Sequence, residues 1–503
     1  MTHGTAPHRA LITGCAMVAT LMQALDSTIA NVALPYMQGG LSTTFDEITW
    51  VLTSYVIAAA IMTAPVGWMA QRFGRKTLFV VCLVGFTATS MLCGAAQSLD
   101  QMVLFRVLQG MFGAALVPLS QATMLDIYPP ERHAQAMAVW GIGVMVGPIL
   151  GPTLGGWLTE HYNWRWIFYV NLPFGILATT GLLALMPKDR VNAALRFDWT
   201  GFAALALGVG CFQLMLDRGQ NQDWFSSREI VTEATLAALG FYLFLVHMFT
   251  AEKPFLPRSL FRDRNFVAGI VMMFLVGMVL LASSALLAPY LQNLANYPVE
   301  AAGFAMAPRG IGTMAAMVLA GKLGSRIDQR KMIGLGLLLL TWSLYDMGQW
   351  TPDLPESHFV WTIVVQGVGM GLTFNPLSVL AFTTLEARLR GDGTAMLSLF
   401  RNIGAAIGIS VSSFSLTQFT QISHADLAAN ITPFDRLLQG GVIGHLLNPA
   451  SRHGAALLDS MVTRQAEIIA YNNDYRLMMV ATLAPLLLLP MMRRVQRQRT
   501  AAR

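Results

Sequence analysis

Residues 143–157, GVMVGPILGPTLGGW, carry a glycine at every fourth position. In a helix such glycines share one face, and small residues at this spacing let two helix backbones approach closely inside a membrane. Pro148 and Pro152 lie between them, remove backbone donors and bend the helix. The stripe consists of Gly143, Gly147, Gly151 and Gly155, with Gly156 beside it. We expect it to form a sealed sliding contact in a membrane protein whose halves rock against each other.

The composition of the whole chain also indicates a lipid environment. The 503 residues are 54% hydrophobic and 12% charged, and this charged share is roughly half that of an average soluble domain. Apolar runs of about 20 residues are long enough to cross a hydrocarbon core. Fourteen such spans are predicted, at 11–35, 48–70, 77–97, 101–126, 134–157, 164–187, 198–217, 229–250, 265–290, 300–321, 332–350, 357–381, 391–420 and 475–492.

The basic residues set the predicted orientation. With an even number of spans both termini lie on one side, and most loop lysines and arginines fall on that side. The positive-inside rule therefore places both termini in the cytoplasm. We expect the basic tail after residue 492 to rest on anionic lipid headgroups, which explains the net charge of +6 better than nucleic-acid binding does.

Two similar loops indicate an internal duplication. Residues 67–76, GWMAQRFGRK, and residues 321–331, GKLGSRIDQRK, each follow a helix rich in small residues and precede an apolar one. Secondary transporters commonly contain such repeats. The predicted organisation is an N-terminal six-helix bundle over 1–187, a linker with two inserted spans over 188–264, and a C-terminal six-helix bundle over 265–503.

The longest predicted loop, 421–474, lies on the outer side before the last span. Residues 455–469 within it have helical periodicity and are expected to extend span fourteen outward. The loop is interpreted as a partly ordered outer cap, or as an amphipathic element that lies on the membrane or docks another protein.

Charged residues deep in lipid cost about 2.5–3.5 kcal/mol each even on lenient scales, so each requires a reason. Asp26 in span one and Arg106 in span four fall at similar depths, so their side chains can meet if the two helices adjoin. Asp26 is the only carboxylate predicted deep inside a span. An aspartate that gains and loses an arginine partner can load and release a proton, whereas a permanent Asp–Arg bridge is the alternative interpretation.

Arg309 and Arg401 are also predicted near mid-membrane, where packing, carbonyl capping and substrate contact are equally compatible with the sequence. Three deep arginines against one deep aspartate favour a cavity for neutral or anionic lipophiles over cations. The candidate cavity residues are Met22, Asn31, Gln109, Arg309, Asn375, Arg401 and Asn402.

Motifs for catalysis and metal binding are not found. The sequence has no Ser/His/Asp grouping, metal-ligand spacing or phosphate-binding loop. We therefore expect no cofactor, no metal and no enzymatic activity, with a membrane-embedded enzyme or sensor as the third hypothesis.

Several motifs together resemble the fourteen-span EmrB/QacA drug:proton antiporter group of the major facilitator superfamily. LDSTIANVALP at 25–35 resembles its first-helix signature, RVLQG at 106–110 its fourth-helix motif, and residues 143–156 its fifth-helix antiporter motif. DRG at 217–219 and DWFSS at 223–227 resemble the insertion loop of the EmrB branch. The conformational motif is assigned to Gly67, Arg72, Gly74 and Arg75 together with the glycines and prolines of residues 143–156.

This resemblance implies two six-helix bundles related by a pseudo-two-fold axis, plus two extra helices. It further implies proton-coupled export of amphipathic compounds across the inner membrane, with Asp26 and Arg106 in proton coupling. A periplasmic membrane fusion adaptor and an outer-membrane channel are the implied partners. A dedicated exporter of one metabolite, such as a siderophore or a fatty or aromatic acid, is the alternative. Gln71 stands where the family usually has an acidic residue, so the charge relay of the loop is weakened or rebuilt.

Overall fold

The structure is a computed structural model that describes residues 8–187, 191–252, 254–324, 326–431, 447 and 451–492. Over these ranges the chain forms helices and turns and contains no β-strand, so the predicted all-helical fold class is confirmed. The basic tail after residue 492 and much of the predicted outer cap lie outside the described residues. The side chains of Pro148 and Pro152 also fall outside them, although both residues lie within a continuous helix.

Helices occupy all fourteen predicted positions, and three spans are each divided into two helices. They are α1 (Arg9–Leu41), α2 (Trp50–Thr63 with Val66–Phe73), α3 (Arg75–Ala95), α4 (Leu99–Gly113 with Leu116–Ile127), α5 (His133–His161), α6 (Trp166–Tyr169 with Asn171–Leu185), α7 (Trp199–Arg218), α8 (Arg228–Thr250), α9 (Arg264–Pro289), α10 (Val299–Leu323), α11 (Gln329–Met347), α12 (Glu356–Phe382), α13 (Arg390–Ala429) and α14 (Arg452–Leu488).

By length and composition, eleven of the described helices can cross a membrane, or twelve when the two parts of α2 are joined. Those parts meet at 58° next to Pro65, which supplies no backbone donor. Of the remaining two long helices, α5 packs mainly against α1 and α11 packs mainly against α12. This architecture is consistent with fourteen spans, and the exact number stays a prediction.

Side-chain caps fix the points at which several of these helices begin. An oxygen of the residue before the helix accepts a hydrogen bond from a free N–H of the first turn, which satisfies a donor that has no partner inside the helix. The capping residues are Ser98 before α4, Asp198 before α7, Asp263 before α9, Asp328 before α11 and Ser451 before α14.

A capping box also fixes the short connection between α1 and α2. The Thr44 hydroxyl accepts from the Glu47 N–H, and the Glu47 carboxylate accepts from the Thr44 N–H. Hydrogen bonds from the Thr44 backbone N–H and from the Thr43 and Thr44 hydroxyls lower the pKa of Glu47 below its usual value. This turn precedes α2, which carries part of the site described below.

The glycine stripe of α5 packs against α1. A Cβ on Gly147 would lie 2.6 Å from the Ala24 Cβ, and a Cβ on Gly155 would lie 2.7 Å from the Ile29 Cγ1. The stripe therefore seals α5 onto α1, and both helices belong to the predicted N-terminal bundle. Whether the two helices slide along this contact stays a prediction.

The contact between the predicted halves begins one turn earlier on α5. A Cβ on Gly141 would lie 2.7 Å from the Met317 Sδ of α10, and a Cβ on Gly321 would lie 2.8 Å from the Ala138 Cβ. Trp140 and Phe374 stack with ring centroids 6.2 Å apart, which joins α5 to α12. The domain boundaries at 187/188 and 264/265 stay a prediction.

Contacts bring one end of many helices together: Thr13 of α1 is hydrogen-bonded to Tyr128 after α4, and Arg390 of α13 pairs with Asp126 of α4. Gly324 after α10 lies against the start of α5, and Arg330 of α11 donates to the Met492 carbonyl after α14. We call this end of the bundle the terminus face. The other end is the loop face. At about 1.5 Å per residue, the 40 residues of α13 and the 37 residues of α14 span roughly 60 and 55 Å, against about 30 Å for a hydrocarbon core. Both therefore extend past the loop face, where His424 and Asp459 join them at 3.0 Å. The predicted helix at 455–469 is confirmed as part of α14.

Candidate functional site

The centre of the candidate site is an ion pair between α1 and α4. The Arg106 Nη1 donates to the Asp26 Oδ2 at 2.8 Å, and both residues have 0% exposure. The expected meeting of these two side chains is thus observed. Their role in proton coupling stays a prediction.

Neutral amides complete the coordination of the carboxylate. The Gln109 Nε2 donates to the Asp26 Oδ1 at 2.8 Å, and the Asn171 Nδ2 of α6 lies at 3.5 Å from the same oxygen. Asn171 also donates to the Ser90 Oγ of α3 at 3.0 Å. Side chains from α3, α4 and α6 therefore hold the α1 carboxylate in one network.

The guanidinium of Arg106 is held by α2 as well. Its Nε donates to the Val51 carbonyl at 2.9 Å, and its Nη1 donates to the Gln109 Oε1 at 2.8 Å. Its Cζ lies 4.2 Å from the centroid of the Tyr55 ring, a distance at which the negative ring face attracts a cation. Sequence reasoning missed Tyr55 and Asn171, because neither carries a charge that stands out in an apolar span.

Arg309 lies in a separate polar cluster inside the predicted C-terminal half. Its Nη1 donates to the Ser284 Oγ at 2.7 Å, and its Nη2 donates to the Ser283 Oγ at 3.2 Å and the Leu280 carbonyl at 3.3 Å. These contacts match the carbonyl-capping interpretation of the sequence. Substrate contact is left untested.

The other candidate cavity residues occupy different environments. Met22 and Asn375 are each 2% exposed, and Asn375 donates to carbonyls of both α5 and α10. Asn31 on α1 is exposed, as is Asn402 on α13. Arg401 is partly buried and donates to the Asn402 Oδ1 at 3.4 Å. These contacts place the candidates on both halves and at the boundary between them.

The predicted conformational loop joins the halves at the terminus face. The Gln71 Nε2 donates to the Asp392 Oδ2 of α13 at 2.8 Å, and Asp392 is 2% exposed. A Cβ on Gly67 would collide with Asp392, so only glycine permits this approach. Position 71 thus carries an amide where an acidic residue was expected, and Asp392 of α13 supplies the carboxylate at this contact instead. The loop contact is rebuilt in this way.

Ion pairs lie beside this contact. Arg75 at the start of α3 pairs with Asp126 at the end of α4, and Arg390 at the start of α13 pairs with the same carboxylate at 3.2 Å. Asp126 therefore connects two arginines from opposite halves. The partly exposed Arg72 and the buried Gly74 complete the loop, and Gly74 has a φ of 86° that favours glycine.

Asp474 corrects the expectation that Asp26 is the only deep carboxylate. It lies within α14 with 0% exposure. Sequence reasoning placed it just before span fourteen, because the polar run of residues 472–474 lowers the local hydropathy. In the part of the chain that the structure describes, no group of three or more His, Cys, Asp or Glu side chains could hold a metal ion.

The buried ion pair within a bundle of apolar helices defines a multi-pass membrane protein of the transporter class. The chain belongs to the Major Facilitator Superfamily, whose sequence pattern matches residues 16–409. Multidrug export protein EmrB from Haemophilus influenzae is 33% identical over 472 residues, with 92% of each chain covered. Fatty acid resistance protein FarB from Neisseria gonorrhoeae is 33% identical over 462 residues, with 91% of each chain covered. The crystal structure of the human organic anion transporter MFSD10 has a similar fold, with a TM-score of 0.61 and 14% identity over 96% of this chain and 100% of that chain.

Proposed function

We propose that this protein is a proton-coupled multidrug exporter of small amphipathic compounds in the inner membrane. The observation that carries the proposal is the ion pair of Asp26 and Arg106, both with 0% exposure, in the centre of the first bundle. The EmrB relative, which is named as a multidrug export protein, supports the assignment of export.

The pair couples protonation to helix movement through the cost of an unpaired buried charge. While Asp26 is ionised, it matches Arg106 and the amides around it. Once a proton neutralises the carboxylate, Arg106 is a buried cation without its counter-ion, and removing one partner of such a pair costs about 3–5 kcal/mol. Rearrangement of α1 against α4 that rehydrates or re-pairs Arg106 then becomes favourable.

The closed terminus face supports a direction for this cycle. Contacts of Gln71 with Asp392 and of Arg390 with Asp126 join the halves at that face. We assign the terminus face, and with it both chain termini, to the cytoplasm, as the positive-inside rule predicts. While the terminus face is closed, Asp26 exchanges protons with the outer side. Cargo is loaded after the contacts of the loop at residues 67–76 have opened.

A dedicated exporter of one lipophilic acid is the second candidate. It is favoured by Arg309 and Arg401, which contribute two cations to the second bundle, and by the FarB relative, which is named for fatty acid resistance. Export of a lipophilic weak acid compared with that of a quaternary ammonium dye separates the two classes. Transport of cations alone would rule out this second candidate.

We further propose that the loop-face extension of α13 and α14 is a docking platform for a periplasmic adaptor that leads to an outer-membrane channel. The two helices reach beyond the bilayer and are joined there by His424 and Asp459. The proposed organisation remains two six-helix bundles, 1–187 and 265–503, with the linker and inserted spans over 188–264.

Reconstitution into vesicles with an imposed pH gradient tests the coupling. Asp26→Asn keeps the size of the side chain but cannot bind or release a proton, so we expect gradient-driven export to be lost while the protein stays folded. Asp100→Asn is the matched control, because it makes the same change on an exposed aspartate in the first turn of α4, and it should transport as the wild type does. Coupled export by Asp26→Asn would refute the proposal.

A further inference from the structure

A second buried carboxylate lies in the other bundle. Asp474 is 0% exposed and is followed by fourteen more residues of α14, which ends at Leu488. At about 1.5 Å per residue it lies roughly 21 Å from the terminus-face end of that helix, well inside a core of about 30 Å.

The partners of Asp474 differ in kind from those of Asp26. The Ser412 hydroxyl of α13 donates to the Asp474 Oδ2, while the Oδ1 has no hydrogen-bond partner among the described residues. Within the same ranges no ion pair includes Asp474, whereas Asp26 has a guanidinium at 2.8 Å. The second carboxylate therefore lacks the cation that would stabilise its charge.

The groups around Asp474 offer no other strong counter-charge. Tyr471 and Tyr475 flank it on α14, and Tyr475 is near Tyr290, which follows α9, and Arg309 of α10. The phenol oxygens of Tyr290 and Tyr475 have no hydrogen-bond partner in the described chain. The guanidinium of Arg309 is engaged by serine hydroxyls of α9.

Among the described residues, the further charges that act on this cluster are acidic, namely Glu467 near Tyr471 and Asp353 near Tyr290, so they supply no counter-ion. α13 faces Asp474 with the hydroxyls of Ser412 and Ser415. α11 contributes Leu344 and Met347, which are apolar and fully buried. Asp474 and the unpartnered phenols thus form a polar cluster enclosed by apolar side chains.

An ionised carboxylate with one hydroxyl partner is a costly species in such a place, since a buried charge requires a counter-ion and full hydrogen bonding. A proton removes this cost by forming an O–H bond at the free Oδ1. A metal cation would require several more oxygen ligands than this cluster provides. We propose that Asp474 is a second proton-binding group, which takes up and releases one proton in each export cycle. The role of Asp474 in the export cycle rests on the proposed function, whereas the protonation of Asp474 does not depend on it.

Two measurements on the full-length protein test the inference. In vesicles, a pH gradient is set against a gradient of the cargo, which is ethidium or a fluorescent fatty acid. The two gradients at which net cargo flux stops give the number of protons moved per cargo molecule. We expect Asp474→Asn to lower this number by about one, and Asp100→Asn, which changes an exposed aspartate at the start of α4, to leave it unchanged. An unchanged number in Asp474→Asn would overturn the inference.

Infrared spectroscopy of the protein in lipid detects protonated carboxyl groups without any transport. At neutral pH we expect the protonated-carboxyl absorption to be weaker in Asp474→Asn than in the wild type, by the amount of one carboxyl group, and to keep its wild-type intensity in Asp26→Asn. Asparagine resembles the neutral acid in size, so the variant should fold, and its melting temperature checks this. An absorption of wild-type intensity in Asp474→Asn would overturn the inference, even if no gradient drives transport and the proposed function fails.

Discussion

The ion pair of Asp26 and Arg106 should be strongly non-additive in its effect on stability. Asp26→Leu leaves a buried guanidinium with the Val51 carbonyl and the Gln109 amide as its remaining hydrogen-bond acceptors. Arg106→Met leaves a buried carboxylate with neutral donors alone. Each single change should cost about 3–5 kcal/mol, because it leaves an uncompensated charge in the protein interior.

The double variant Asp26→Leu/Arg106→Met removes both charges together. Replacing a whole buried pair by apolar side chains is often neutral or stabilising by about 1–4 kcal/mol, although Gln109 here loses its acceptor and reduces that gain. We therefore expect the double variant to be more stable than either single variant by about 3 kcal/mol. That difference is a factor of more than a hundred in the ratio of folded to unfolded protein.

Equilibrium unfolding in mixed micelles, followed by tryptophan fluorescence, measures all three free energies. The exposed pair of Glu386 and Arg388, with side chains 61% and 74% accessible, provides a control cycle. Exposed pairs contribute about 0–1 kcal/mol, so that cycle should be close to additive. Additivity in the Asp26–Arg106 cycle would refute the argument that both charges are buried and mutually compensated.

Two further changes test the helix contacts. Gly147→Ala should destabilise the protein by about 1–3 kcal/mol, because the new Cβ would lie 2.6 Å from the Ala24 Cβ. Gly143→Ala is the control, since its new Cβ would lie 3.5 Å from its nearest neighbour and should be tolerated. Equal melting temperatures of the two variants would contradict this expectation. At alkaline pH, where Asp392 and the new glutamate are both ionised, Gln71→Glu should open the terminus face, because two carboxylates near 4 Å repel by roughly 1–4 kcal/mol at effective dielectric constants between 80 and 20. Spin-label distances across that face should lengthen in Gln71→Glu and stay unchanged in Gln71→Met, and an unchanged distance in both would contradict the repulsion.

The sequence predicted the features that depend on composition and on isolated charges. Runs of apolar residues marked the helix positions, since a membrane span needs length and hydropathy more than any particular partner. Asp26 and Arg106 stood out because charges in apolar spans are rare and costly. Their similar depths predicted that they could meet if the two helices adjoin, and the structure shows that contact.

Helix ends were less predictable where tertiary contacts extend a helix through polar residues. The membrane span was predicted to begin at Tyr475 with a helical extension over 455–469, whereas α14 is continuous from Arg452 and buries Asp474 between these two segments. The hydroxyl of Ser412 on α13 meets this carboxylate inside the bundle. A hydropathy pattern contains no information about such a partner, so a buried carboxylate was assigned to a loop.

Contacts between distant segments were also beyond the sequence. Gln71 and Asp392 are 321 positions apart, and neither residue lies in a pattern that selects the other. The glycines of 143–157 predicted a close helix contact correctly, but their spacing does not specify which helix makes it. The partner proved to be α1, because α5 returns beside it in the same bundle.

The length of α13 gives a small motion at one end a large effect at the other. Its first turn is held by Asp392 and Arg390 at the closed face, and the helix continues without a break to Ala429. A rigid rod of roughly 60 Å that tilts by about 5° at its base moves its tip by about 5 Å. If release of one hydrogen bond and one ion pair at the base permits such a tilt, the outer end of α13 moves sideways by about the width of an amino-acid side chain.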